Sequence, residues 1–289
     1  MPRLPDLPTR RPGGGAVQVI AITGGKGGTG KTTVAVNLAT ALAQAGRRVL
    51  LLDGDLGLAN VDVLLGLAPT HTLEQVVSGA VRLEEIIQHT PEGVSVVPAA
   101  SGVARMARLK PAEHAAIVRG FAALPGDYET LIVDTATGLG ESVLSFCQAA
   151  QQLLLVLRNE PASLTDAYAL IKVLSREHQL RSFRVLVNMA RSGADACQLF
   201  QRLQRVTDRY LEVRLEYAGE IPDDSDVASA VRSQRTVLGA YPGSPAARAY
   251  RRLAQDALGW PLPALPSGRL EFFFERLLAR PAARLQVVQ

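Results

Sequence analysis

The sequence predicts an α/β fold, a mostly parallel, twisted sheet of about 7–8 strands with helices on both faces. Three observations carry this. Short runs rich in Val, Ile and Leu alternate with amphipathic stretches, the rhythm of βαβ units; the first strand-to-helix junction is glycine-rich; and aspartates stand where two apolar runs end. The composition agrees, since 47% hydrophobic and 20% charged residues are ordinary for a folded domain and exclude disordered, collagen-like and disulfide-scaffold chains.

Along the chain, residues 1–16 carry four prolines, Arg3, Arg10, Arg11 and a triple glycine. They predict a flexible leader, and the absence of an apolar signal-peptide core predicts a cytoplasmic protein. VQVIAIT (17–23) is the first strand. Residues 31–45 place Val34, Leu38, Ala41, Leu42 and Ala45 on one helical face and stop at Gly46, a C-terminal glycine signal. Further strands are expected at 47–53, 94–99, 130–135, 152–158, 184–190 and 213–219. Helices are expected at 111–123, 141–150, 163–178, 195–210, 226–234 and 245–258. A Pro-rich stretch at 260–268 then breaks the pattern. In a last helix over 269–279, Leu270, Phe273, Phe274, Leu277 and Leu278 follow helical spacing and Phe272 widens the stripe, giving an amphipathic surface whose exposure would follow the state of the domain. The expected organisation is a leader at 1–16, one domain at 17–260, and a linker with a helix at 261–289. No apolar run reaches the length of a membrane span.

The net charge of +4 permits weak contact with nucleic acid or anionic lipid, but no basic cluster is interleaved with aromatics, so sequence-specific nucleic-acid binding is not expected. Cys147 and Cys197 form no CxxC pair and are read as apolar fillers. The four histidines have no metal-ligand spacing. Of 31 basic residues only Lys26, Lys31, Lys110 and Lys172 are lysines, which suggests that lysine is kept where a compact ammonium is needed.

Residues 25–32 read GKGGTGKT, a full GxxxxGK[ST] match placed between a strand and a helix, as this motif requires. In such a loop Gly25, Gly27, Gly28, Thr29, Gly30 and the helical Thr33 turn backbone N–H groups toward phosphates at a helix N-terminus. Lys31 reaches the β and γ oxygens and Thr32 holds Mg²⁺. Asp53 and Asp55 end the second strand, and carboxylates there point into the crevice where open α/β sheets bind ligands. Asp134 stands where a Walker B carboxylate holds Mg²⁺. The structural alternative is that these aspartates cap the following helices, foremost Asp53.

GGKGGTGKT resembles the deviant Walker A loop of the MinD/ParA ATPases, P-loop NTPases of the SIMIBI class. The resemblance implies ATP/ADP and Mg²⁺ as ligands, and a catalytic set of Lys26, Lys31 and Asp55. Lys26 would cross a dimer interface to the partner's nucleotide. Asp55, in a segment similar to switch I, would orient the attacking water and join Thr32 and Asp134 around the metal. Asn188 in VLVNMA would contact adenine, and Pro222 and Asp223 in GEIPDD would flank the base. The stretches LGLANVDVLLGL, VPAASG, NEPASLTDAYALIKVL, FRVLVNMA and LEFFFERLL resemble the flagellar branch, the FleN/FlhG family, over residues 17 to about 280. That likeness implies slow ATP hydrolysis as a molecular switch, a homodimer in the ATP state, control of flagellar number and placement, and restraint of a flagellar transcriptional activator. It also implies the FlhF GTPase and flagellar switch proteins as further partners, and reversible, polar association with the inner face of the membrane through the C-terminal helix.

Two departures stand out. Residues 1–16 lack the Asp-Gln-Ala helix motif through which some members stimulate FlhF, and their prolines oppose a helix. After Asp134 the chain reads Thr135-Ala136-Thr137-Gly138, where the family has DTAAG or DSPAG. The alternatives are a MinD-type division-site ATPase and a ParA-type DNA-partitioning ATPase. A reductase like the nitrogenase iron protein needs a cysteine after Walker B, and 135–141 has none.

Overall fold

Five strands are buried at every position, β1 (Gln18–Thr23), β2 (Val49–Gly54), β4 (Val94–Val97), β5 (Thr130–Thr135) and β6 (Gln152–Leu157), the mark of a parallel sheet covered on both faces. With β3 (Gln88–His89), β7 (Ser182–Ala190) and β8 (Arg214–Pro222) they form one eight-stranded sheet in the order β3-β4-β2-β5-β1-β6-β7-β8. Every pairing is parallel except β3 with β4. The computed structural model describes residues 17–103, 105–124, 128–262 and 271–273.

Because side chains alternate along a strand, each strand feeds two cores. Val19, Ala21, Leu50, Leu52, Leu131 and Val133 belong to one. It is shared with α4 (Pro111–Gly120), α5 (Glu141–Ala149), α6 (Pro161–Arg176) and α7 (Gly193–Tyr210). Ile20, Ile22, Val49, Leu51 and Ile132 belong to the other, under α1 (Lys31–Gln44) and α10 (Pro245–Leu258). The helix starts follow local chemistry. Ser192 Oγ accepts from Asp195 N to cap α7, and Ser244 Oγ accepts from Ala247 N to cap α10, whose first residue is Pro245; such caps satisfy the free N–H groups of a first turn. Among the strands and α-helices, four short ones have no counterpart in the sequence reading: β3, α2 (Val61–Leu65), α3 (Leu73–Val77) and α9 (Val237–Ala240). They are too short to show a period. α8 (Ser225–Arg232) completes the helices.

At the sheet end opposite the glycine-rich loop, the buried Arg184 guanidinium pairs with Glu216 at 2.7 Å and lies 4.6 Å from the Trp260 ring centre. Gln152 Nε2 donates to Pro261 O at 2.6 Å, so the chain leaving α10 is pinned to β6 and β7.

The expected amphipathic helix over 269–279 is corrected at its described part. Phe272 and Phe273 are fully buried and belong to the first core. Phe272 meets Phe121 edge-on at 5.1 Å and lies 6.1 Å from Phe146, and its N–H donates to Ala149 O. Phe273 has φ 54°, which no α-helical residue adopts, so a continuous helical stripe through it does not form. Leu270, Phe274, Leu277 and Leu278 lie outside the described residues, as does the leader at 1–16. No helix among the described residues is long and apolar enough to cross a membrane.

Candidate functional site

Three neighbouring strands, β2, β5 and β1, end together and bring their terminal residues to one place. Register sets Asp134 beside Asp53 on one side and beside Ile22 on the other. The loop between β1 and α1 closes over them. Gly28 and Gly30 there have φ 78° and 86°, a left-handed backbone that favours glycine. A Cβ at Gly30 would collide with the Asn188 carboxamide, and one at Gly25 with the Asp166 carbonyl. The loop encloses a cavity of about 430 Å³ lined by Gly28, Gly30, Lys31, Thr32, Thr33, Asp55, Asn60, Thr135 and Thr137, among others. The free N–H groups of α1 face it, a ready-made place for an anion.

Lys31 is buried, and desolvation lowers its pKa while Asp134 and Asp55 pull it back up. Asp134 is pushed up to about 8, first by burial and then by the Asp53 charge, with Thr32 and Lys31 acting the other way. Its buried Oδ1 has no hydrogen-bond partner. The buried Asp134 carboxylate with its orphaned oxygen, the Thr32 hydroxyl that interacts with it and the Asp55 carboxylate are a donor set that fits a divalent cation. Among the described residues no group of three or more His, Cys, Asp or Glu side chains could hold a metal, which accords with the habit of Mg²⁺ to use one or two protein oxygens and take the rest from phosphate and water.

Asp53 has a different job from Asp55. Its Oδ1 accepts from Asp55 N at 3.1 Å and its Oδ2 from Asn60 N and Val61 N at 3.0 Å each. Burial raises it to about 7 against these three amides. It thus ties down both ends of loop 55–60 and caps α2, the structural alternative weighed from the sequence. The outside of the loop is strapped by the VPAASG segment: Ser101 Oγ donates to Ala59 O at 2.7 Å and Gly102 N to Gly57 O at 3.2 Å. Asp55 is left on the cavity wall between these anchors.

Lys26 does not line the cavity. Its ammonium lies 2.7 Å from Glu160 of its own chain, which also pairs with Arg158 at 3.2 Å. Nothing in the sequence joins Lys26 to Glu160, because the NEPASL segment carries no motif for it. Asn188 is buried at the end of β7 and donates its Nδ2 to Thr29 O at 2.8 Å, so it braces the phosphate loop from the far side. Asp223 N donates to Ala190 O at 2.9 Å, holding the loops after β7 and β8 together. Pro222 and Asp223 stand apart from the main cavity; Pro222 lines a neighbouring one of about 190 Å³ with Ala190 and Arg191.

Fold and site together define a nucleotide-binding protein of the MinD/ParA type, and the chain belongs to the CobQ/CobB/MinD/ParA nucleotide binding domain family, which it matches over residues 20–237. Within the family it is similar to the antiactivator FleN of Pseudomonas aeruginosa, at 55% identity over 92% of this chain and 95% of that protein. It is also similar to the flagellum site-determining protein YlxH of Helicobacter pylori, at 29% identity over 91% of this chain and 90% of the other. Among solved structures, the septum site-determining protein MinD of Pyrococcus horikoshii, complexed with Mg-ADP, superposes with a TM-score of 0.69 at 29% identity, covering 83% of this chain and 96% of that one.

Proposed function

We propose that the protein is a slow, ATP-driven switch that dimerises with ATP bound, controls flagellar number and placement, and restrains a flagellar transcriptional activator. The observation that supports the chemistry is the meeting of Lys31, Thr32 and Asp55 in one cavity at the N-terminus of α1, backed by Asp134. The likeness to the antiactivator FleN supports the regulatory part.

In this reading the amides of Gly28, Thr29, Gly30, Lys31, Thr32 and Thr33 cradle the phosphates, and the Lys31 ammonium is spread over the β and γ oxygens. Thr32, Asp55 and Asp134 would hold Mg²⁺, which when bound neutralises charge on the β and γ oxygens. The Asp55 carboxylate orients the attacking water; its Oδ1 accepts from Leu58 N and its backbone N–H donates to Asp53 Oδ1, which limits how far it strays. Asn188, Pro222 and Asp223 form the adenine side. Dimerisation would move Lys26 from Glu160 to the partner's nucleotide, which makes assembly conditional on ATP.

Lys31→Ala and Asp55→Ala test this by separating binding from hydrolysis. The first should abolish ATP binding. The second should bind ATP normally and turn it over about 10² to 10⁴ times more slowly, the usual contribution of a residue acting on the nucleophile. ATP-loaded Asp55→Ala should then co-purify with the flagellar activator, and Lys31→Ala should not. Normal turnover by Asp55→Ala would remove its assignment.

A further inference from the structure

We propose that Thr137 contacts the terminal phosphate: its hydroxyl donates a hydrogen bond to a γ-phosphate oxygen and sets the preference of this site for the triphosphate over the diphosphate. The proposal rests on the reading of the cavity as an ATP site and adds a residue to it.

Two threonines follow Asp134 and line the cavity, Thr135 and Thr137, and they differ in what their hydroxyls do. Thr135 Oγ1 donates to Ile22 O at 3.0 Å, which commits it to joining β5 and β1. Thr137 is exposed, and among the described residues its hydroxyl has no partner. The segment carrying it is fixed against the phosphate loop. Gly138 N reaches Gly24 O at 3.5 Å, and Thr137 Cγ2 is the heavy atom that a Cβ on Gly27 would meet, at 3.9 Å. The methyl is thus on the Gly27 side of Thr137, and the residue lines the cavity.

Chemistry decides what such a hydroxyl can serve. Lys31, Thr32 and the first amides of α1 belong to the lining at the helix N-terminus, where they serve a β-phosphate and so bind ATP and ADP alike. Asp55, also in the lining, is an acceptor when ionised and cannot donate to a phosphate oxygen. Thr137 adds a hydroxyl donor to the same lining, assigned here to the third phosphate, and an O–H to anionic oxygen bond is of the stronger, charge-assisted kind. The alanine or proline neighbourhood of the related pattern offers no such donor.

The test measures ADP and a non-hydrolysable ATP analogue by calorimetry on the full chain and its Thr137→Val, Thr137→Ser and Lys31→Ala variants. Val keeps the shape and the methyl on Gly27 but removes the hydroxyl; Ser keeps the hydroxyl. The expected result is an affinity for the ATP analogue about tenfold lower in Thr137→Val, with ADP unchanged and Thr137→Ser close to the parent. An unchanged ratio in Thr137→Val, or an equal loss for both nucleotides, overturns the assignment of Thr137 alone. ADP binding that survives Lys31→Ala intact overturns the site itself and the proposal with it.

Discussion

Asp53, Asp55 and Asp134 share a residue type and a strand end, yet their surroundings give them three roles. Three amides turn Asp53 into a loop anchor, Asp134 keeps a buried oxygen with no hydrogen-bond partner, and Asp55 lines the cavity while accepting from Leu58 N, the places in which we propose cation and water roles for the last two. The raised carboxyls have a consequence for pH. Folded Asp134 titrates at about 8 and folded Asp53 at about 7, against 3.8 for a free side chain. Between those limits the folded protein holds protons that the unfolded chain gives up, so this contribution to stability is complete below about 3.8, falls steadily as pH rises from there, and is fully lost above about 7 for Asp53 and about 8 for Asp134. Nucleotide-free protein should therefore melt lower at pH 8 than at pH 6, and Asp134→Asn should melt higher than the parent at pH 8. Scanning fluorimetry without Mg²⁺ or nucleotide checks it, and a decline of equal steepness in Asp134→Asn would contradict it.

At the scale of elements, the loop after β2 and the segment at 271–273 show how packing overrides a periodic pattern. Leu270, Phe273, Phe274, Leu277 and Leu278 read as one helical stripe, but Phe272, which only widens it, is buried beside Phe273 on Phe121. Two phenylalanines that complete a core are a structural part of the domain. Phe272→Ala should cost about 3–5 kcal/mol, the range for a buried Phe replaced by Ala. Urea unfolding measures this, and a loss below 1 kcal/mol would show that the ring is dispensable. A chain ending at Ser267 should be destabilised for the same reason, so its behaviour on lipid vesicles is interpretable only beside its melting curve.

For the whole molecule the decisive question is assembly. Leu58 and Val63 stand 69% and 58% exposed, and Leu139 and Val231 are exposed as well. Val63 and Val231 line the cavity mouth itself, which accords with the proposed dimer closing there. In the single chain Lys26 is satisfied by Glu160, both half-exposed, and a pair so placed is easily given up in water. Lys26→Ala should bind ADP as a monomer and fail to dimerise with an ATP analogue, whereas Glu160→Gln should dimerise at least as readily as the parent. Sizing chromatography with light scattering reads both, and a normal dimer from Lys26→Ala would return that lysine to the role of a surface charge.

By itself the sequence determined whatever depends on neighbours along the chain. The alternation of apolar runs and helices, the glycines of the loop at 25–32, and Asp55 and Asp134 at their strand ends were all legible, because strand period, turn chemistry and helix starts are set within a few residues. Family likeness supplied the proposed role of Lys26. Tertiary structure alone decided the rest: that Lys26 meets Glu160 134 residues away, that Asn188 braces Thr29 159 residues away, that Asp53 serves the loop, and that Phe272 closes the core on Phe121. Each is a contact between segments brought together only by strand order and helix packing, and no local pattern of residues encodes which distant partner the fold will present.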